Sequence, residues 1–293
     1  MLEPISIGTY TNPAVLFNRL NDELKVLQSE GYPLNIDIDK VGEFTFMDCF
    51  FPREESISNE ESFNTIKLSI ANCLSEIIIE EWEALLIGKI VRENFYYYND
   101  EEKQTILNKT KKMLNPAGID SYHQRQRKEK VMQRILEYLD LSKNLIVEGF
   151  ISFRLKDYQK ELEIIVNTAV DELLMEKEYQ EFIRLLKYFV EIQEPRIQKV
   201  QIVFKNNGKF SLLDEKDKPI KHDCLDGLML DLLENEINYE DLLISALITL
   251  APQELVLHKE PEIESNETIK TIEKVFGKRV INCTGCPKCE NKK

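Results

Sequence analysis

A chain of 293 residues holds one large or two modest domains at the usual ~100–200 residues per domain, and is long enough to bury a substantial core. Hydrophobic residues make up 43% and aromatic residues 9%, which excludes disorder as the default state, and ten glycines with ten prolines exclude collagen-like and linker-rich chains. The net charge of −14 sets the long-range field against DNA, RNA and anionic membranes unless a local patch reverses it.

The opening residues, MLEPISIGTY, carry no cationic stretch followed by an apolar run, and the most apolar window, Leu242 to Ala251, is far shorter than the ~20 residues a membrane span needs. We expect a protein of the cytoplasm with no membrane insertion. Leu16, Leu20, Leu24 and Leu27 recur at helical spacing between Asn12 and Glu30. Leu34, Ile36 and Ile38 then alternate with polar residues, and Phe44 and Phe46 alternate again after Lys40-Val41-Gly42, the pattern of a half-buried hairpin. Ser58 to Glu61 has capping-box spacing ahead of a long helix whose stripe runs through Ile66, Ile70, Leu74, Ile77, Trp82 and Leu85.

Between Asn99 and Pro195 the pattern is helical throughout, with no strand. Its clearest segment spans Lys156 to Glu176, where Leu162, Ile165, Ala169 and Leu173 form one stripe; a second runs from Tyr179 to Val190. Strands return at Val200, Ile202 and Phe204, and resume at Phe210 and Leu212 beyond Asn206-Asn207-Gly208. A helix opened by Asn238, a strand from Glu254 to His258, a helix opened at Ser265 or Asn266 and ended by Gly277, and a strand from Arg279 to Asn282 complete the chain. The last strand–helix–strand order calls for a parallel pair. The fold class is mixed α+β: two small α/β lobes, residues 1–95 and 196–293, flanking a helical region, residues 96–195. PLNIDIDKVGEFTFMD and KVQIVFKNNGKFSLLD look alike, as duplicated hairpins or as any two glycine-turn hairpins would.

The stretch EGFISFRLKDYQKELEIIVNTAVDELLMEKEYQEFIRLLKYFVEIQEP (residues 148–195), with EINYEDLLISALITLAPQELVLH (236–258) and IEKVFGKRV (272–280), closely resembles the YtxC-like sporulation proteins of endospore-forming Bacillota. The resemblance runs from about residue 90 onward. It implies a cytoplasmic protein of the sporulation programme, and it brings no catalytic residues with it.

Six cysteines are distributed unlike a secreted disulfide framework: Cys49 and Cys73 in apolar surroundings, Cys224 alone, and Cys283, Cys286 and Cys289 crowded into the tail. The tail spacing, Cys-x₂-Cys-x₂-Cys with Gly285 and Pro287 shaping the turn, lets three thiolates converge on one soft cation, zinc above all. An iron–sulfur cluster, a redox pair and a free reduced tail are the other readings. Three sulfurs leave a fourth ligand to find: Cys224, His222, His258 or a cysteine of a second chain, with the segment bearing His222 and Cys224 the first place to look.

Arg125, Arg127, Lys128, Lys130 and Arg134, opposed in that stretch by Glu129, form a basic segment in an acidic chain. It could contact an anion or an acidic partner; the net charge disfavours nucleic acid, and a solvated helix face is the commoner explanation. Phe95 to Tyr98 reads as an aromatic wedge at a helix end, and Glu80, Glu81 and Glu83 as one solvated acidic face. No phosphate-binding glycine loop, dinucleotide fingerprint or nucleophile elbow is present. The expected function is therefore a non-enzymatic interaction scaffold with a protein partner. The alternatives are a metal- or thiol-dependent enzyme or metal-binding protein using the tail cysteines, and a nucleic-acid binder using the basic segment.

Overall fold

The structure is a computed structural model that describes residues 4–32, 34–50, 59–116, 120–204, 210–220, 239–258 and 267–289, the side chains of 59–61, 120–122 and 239–240 excepted. It is a mixed α+β protein with two four-stranded sheets. Two compact units divide the chain, residues 1–174 and 175–293, so the helices of residues 96–174 fall in the first. No described helix is long and apolar enough to cross a membrane.

The first unit opens with β1 (Ile5–Thr9) and α1 (Pro13–Ser29). Pro13 suits the first helical turn, where its missing N–H is no loss, and Leu16, Leu20, Leu24 and Leu27 are the residues α1 buries, as their spacing predicts. The expected hairpin is β2 (Asn35–Val41) and β3 (Phe44–Phe50), with Gly42 at φ 65° in the turn. Then come α2 (Asn59–Ile77), a π-helical turn (Ile78–Trp82), α3 (Glu83–Asn94), α4 (Asp100–Leu114) and α5 (Asp120–Leu141). Asn99 caps α4 reciprocally: its side chain accepts from the Glu102 N–H, and its own N–H donates to the Glu102 carboxylate. The Ser58 cap expected for α2 lies outside the described residues.

The π turn revises one sequence reading. Inserting a residue rotates everything beyond it by about 100°, so the stripe that buries Ile66, Ile70, Leu74, Ile77 and Trp82 continues through Ile87 and Val91, while Leu85 is 49% exposed. The same rotation turns Glu83 inward, where it is buried, instead of leaving it on a solvated acidic face with Glu80.

A strand the sequence did not announce, β4 (Asn144–Ile146), precedes α6 (Val147–Arg154) and pairs parallel to β1. Three residues are too few to display an alternating pattern. The first sheet runs β2-β3-β1-β4. Its register puts Ile5, Ile7, Met47, Cys49 and Leu145 on one face, all buried against the helices. On the opposite face three rows cross the strands: Asp37, Asp48, Ser6 and Asn144, then Asp39, Phe46, Gly8 and Ile146, then Val41 and Phe44. Gly8 lets the Phe46 ring lie across β1, since a Cβ there would meet the ring at 2.6 Å.

The two helical segments read between Lys156 and Val190 are one helix, α7 (Lys156–Ile192), which contributes residues to both units. In the second unit β5 (Ile197–Phe204) and β6 (Phe210–Leu213) form the expected hairpin, its turn outside the described residues. They are followed by α8 (Tyr239–Leu250), β7 (Pro252–His258), α9 (Glu267–Phe276) and β8 (Val280–Asn282), with Gly277 at φ 51° ending α9. The order is β6-β5-β7-β8, with β7 parallel to β8, as the strand–helix–strand reading requires, and to β5. The second strand of the N-terminal hairpin is the inner one of its sheet, whereas the first strand of the C-terminal hairpin is the inner one of its own. The similar hairpins are thus inserted differently.

Candidate metal centre

Parallel pairing of β7 and β8 sets Leu257 opposite Asn282, and the Cys283 N–H donates to the Leu257 carbonyl at 2.9 Å, carrying the ladder one residue further. That register delivers the chain beside His258, the last residue of β7. Gly285, at φ 127°, then takes a conformation that a residue with a Cβ adopts only under strain. The turn beyond it closes when the Cys289 N–H donates to the Cys286 carbonyl at 2.9 Å. The tail therefore folds back on the strand end, and His258, Cys283, Cys286 and Cys289 each present one ligand atom within 4.8 Å of all the others.

The spacing discriminates between chemistries. A tetrahedral ion with bonds of ~2.3 Å to sulfur and ~2.0–2.1 Å to nitrogen holds sulfurs about 3.8 Å apart and sulfur about 3.6 Å from nitrogen. Cys286 Sγ and Cys289 Sγ are 3.8 Å apart, and His258 Nδ1 lies 3.2 Å from the first and 3.7 Å from the second. A disulfide would need about 2.05 Å. A polynuclear iron–sulfur cluster spreads its thiolates over several irons, wider than the mutual 4.8 Å seen here. The donor set suits one soft, tetrahedral cation.

The imidazole is oriented from behind. His258 is buried, and its Nε2 faces Gln201 Oε1 of β5 at 3.1 Å, which favours the tautomer with the proton on Nε2 and the lone pair on Nδ1, toward the sulfurs. Gln201 is itself held: its amide donates to the Asp214 carbonyl at 2.8 Å and to Asp217 Oδ1 at 2.7 Å, and Lys288 Nζ donates to Gln201 Oε1 at 2.8 Å and to Asp217. Lys288, inside the Cys286–Cys289 turn, thereby ties that turn to the residue that orients His258. Burial, then the Lys288 ammonium, holds His258 below its ordinary pKa, so the ring stays neutral and able to ligate. Burial also raises Cys289 to about 11. It opposes the Cys286 thiolate as well, but there the N–H groups of Lys288 and Cys289 and the neighbouring thiols outweigh it and the net shift is downward.

The structure thus brings together Cys283, Cys286 and Cys289 with His258; Cys224 and His222 lie outside the described residues. The signal for His258 was its place at the end of the strand just before the final crossover, which a parallel pair necessarily returns beside the tail. Gln201 gave no sign in sequence, because its role depends on β5 pairing with β7.

The basic segment is not a free patch. Arg127 is buried, with Nε 3.0 Å from Glu83 Oε2 and Nη1 donating to the Leu114 carbonyl at 2.8 Å, while the Tyr158 hydroxyl donates to the same Glu83 carboxylate. Arg125 pairs with Glu129, Lys128 with Glu76, Lys130 with Glu161, and Arg134 with Glu137 and Asp157. Phe95 is buried, but Tyr96 and Tyr97 are exposed.

Fold and site together define a two-unit α+β protein with a compact Cys₃His donor set in its C-terminal unit. The chain belongs to the YtxC-like family, whose model matches residues 68–281. It is similar to "Uncharacterized protein YtxC" of Bacillus subtilis (strain 168), with 29% identity over 196 residues, covering 65% of this chain and 68% of that protein. No solved structure matches. The family match includes His258 and ends before Cys283.

Proposed function

We propose that this is a non-enzymatic, zinc-binding protein of the sporulation programme, acting in the cytoplasm through contacts with another protein. The observation that carries the zinc assignment is the convergence of three thiols and one oriented imidazole within 4.8 Å, with Cys286, Cys289 and His258 near tetrahedral spacing. Four protein ligands fill a tetrahedral zinc site and leave no position for substrate, which is the arrangement of a structural centre; its ligation chemistry would pin the tail to the end of β7. The sporulation setting is supported by the resemblance of residues 148–195, and a reducing compartment by the unpaired thiols of Cys49 and Cys73.

The test is metal content. Full-length protein purified without chelator should carry one zinc per chain by elemental analysis, and Cys286→Ser should lose most of it. Metal-free wild-type protein that also fails to take up added zinc would refute the assignment.

One observation favours a second reading. Cys286 Sγ lies 3.2 Å from His258 Nδ1 and its thiol is shifted downward, which is also how a thiol nucleophile sits beside its base. That reading needs only one thiol and gives no role to the other two. Rapid alkylation of Cys286 alone in zinc-saturated protein would favour it; protection of Cys283, Cys286 and Cys289 together supports the metal.

A further inference from the structure

The N-terminal sheet packs helices on the face bearing Ile5, Ile7 and Met47; its other face carries half-buried Phe44 and Phe46 beside the polar row of Asp37, Asp48, Ser6 and Asn144. Phe46 lies across Gly8 at the centre, and Phe44 joins it to Tyr10, with ring centroids 6.1 and 5.5 Å apart. Tyr10 is 54% exposed and Val41 58%. Helix α6 rises along the β4 side and adds Phe153, 73% exposed, and the Arg154 cation at its end, so that sheet and helix bound a groove of about 730 Å³. Contiguous exposed apolar surface marks interaction sites, and Tyr10, Val41 and Phe153 extend the half-buried Phe44 and Phe46 into such a patch.

Charge on the same face indicates the occupant. Cross-strand pairing sets Asp37 directly opposite Asp48, with Asp39 one row further along β2. Like charges directly opposite destabilise a sheet, and no described cation pairs with Asp37 or Asp48. The face therefore has an aromatic floor with carboxylates on its β2 side, Asp37 and Asp39 of β2 and Asp48 of β3, and the Arg154 cation on its α6 side, so its carboxylate side is the complement of the cations that flank an apolar stripe.

We propose that the open face of the N-terminal sheet docks an amphipathic helix of a partner protein, its apolar stripe laid over Phe44, Phe46 and Phe153 and its Lys/Arg flank against Asp37, Asp39 and Asp48. The groove-and-helix mode supplies affinity through the apolar anchors, and the carboxylates set orientation and exclude acidic helices. This surface lies wholly in the first unit and is independent of the metal centre.

The probe is a fluorescein-labelled peptide of about 18 residues with Leu at helical spacing and Lys elsewhere, titrated into the full-length protein and followed by anisotropy. A second peptide carries Glu in place of every Lys. The lysine peptide should bind saturably and the glutamate peptide should not. Asp37→Lys with Asp39→Lys should weaken binding by about tenfold, and Phe153→Ser by a similar factor. A control with the same charge change in the other unit, Glu191→Lys with Glu194→Lys, should stay within about twofold of wild type. All of these positions are exposed, and circular dichroism verifies that each variant is folded. The proposal is overturned if neither peptide binds, if both bind equally, if the control weakens binding as much as the Asp37/Asp39 change, or if Phe153→Ser has no effect.

Discussion

At the scale of single residues, the largest departure from a pattern reading is Arg127. In sequence it is one of five cations in a basic stretch, indistinguishable from its neighbours. In the fold it is buried, its guanidinium shared among Glu83, the Leu114 carbonyl and Asn115 Oδ1. Burial of a charged pair is justified only when both members keep their hydrogen bonds, and removing one strands the other. Arg127→Met should therefore destabilise the first unit by about 3–5 kcal/mol in denaturant unfolding, whereas exposed Arg125→Met should change it by less than about 1 kcal/mol. Equal effects would mean that the Glu83 carboxylate is not committed to Arg127. The two residues carried no pairwise signature because they stand 44 residues apart with helix α4 between the helices that bear them, and because the π turn that rotates Glu83 inward adds no distinctive residue to the sequence.

At the scale of elements, most helices and both hairpins were legible, since each is long enough to repeat its apolar period: α1 through its leucines, β2 and β3 through Ile36, Ile38, Phe44 and Phe46. What failed to show were β1 and β4, too short to repeat a period, and the phase of α3, altered by one inserted residue. The metal centre divides the same way. Its three cysteines were evident from spacing, because a tight turn brings local thiols together. His258 was one candidate among several, chosen by the pairing of β7 with β8, and Gln201 was invisible because it acts across a strand pair. If Gln201 fixes the imidazole tautomer, Gln201→Ala should weaken zinc affinity about 10–100-fold in a competition assay with a chromogenic chelator, while leaving one zinc per chain at saturation. An unchanged affinity would show that the Lys288–Gln201–Asp217 network serves only the loop.

At the scale of the whole molecule, two units carry two different surfaces: an N-terminal sheet with one open aromatic and acidic face, and a C-terminal sheet whose last strand ends in the donor cluster. An ion held by this donor set, as proposed, would tie the returning tail to the end of β7, as metal ligation does in small domains. X-ray absorption at the zinc edge of the full-length protein, compared with His258→Ala, reads that site directly. Three sulfur neighbours at about 2.3 Å and one nitrogen at about 2.0 Å are expected, with the nitrogen replaced or the metal lost in the variant. Four sulfurs, or a first shell of nitrogen and oxygen unaffected by His258→Ala, would contradict this coordination.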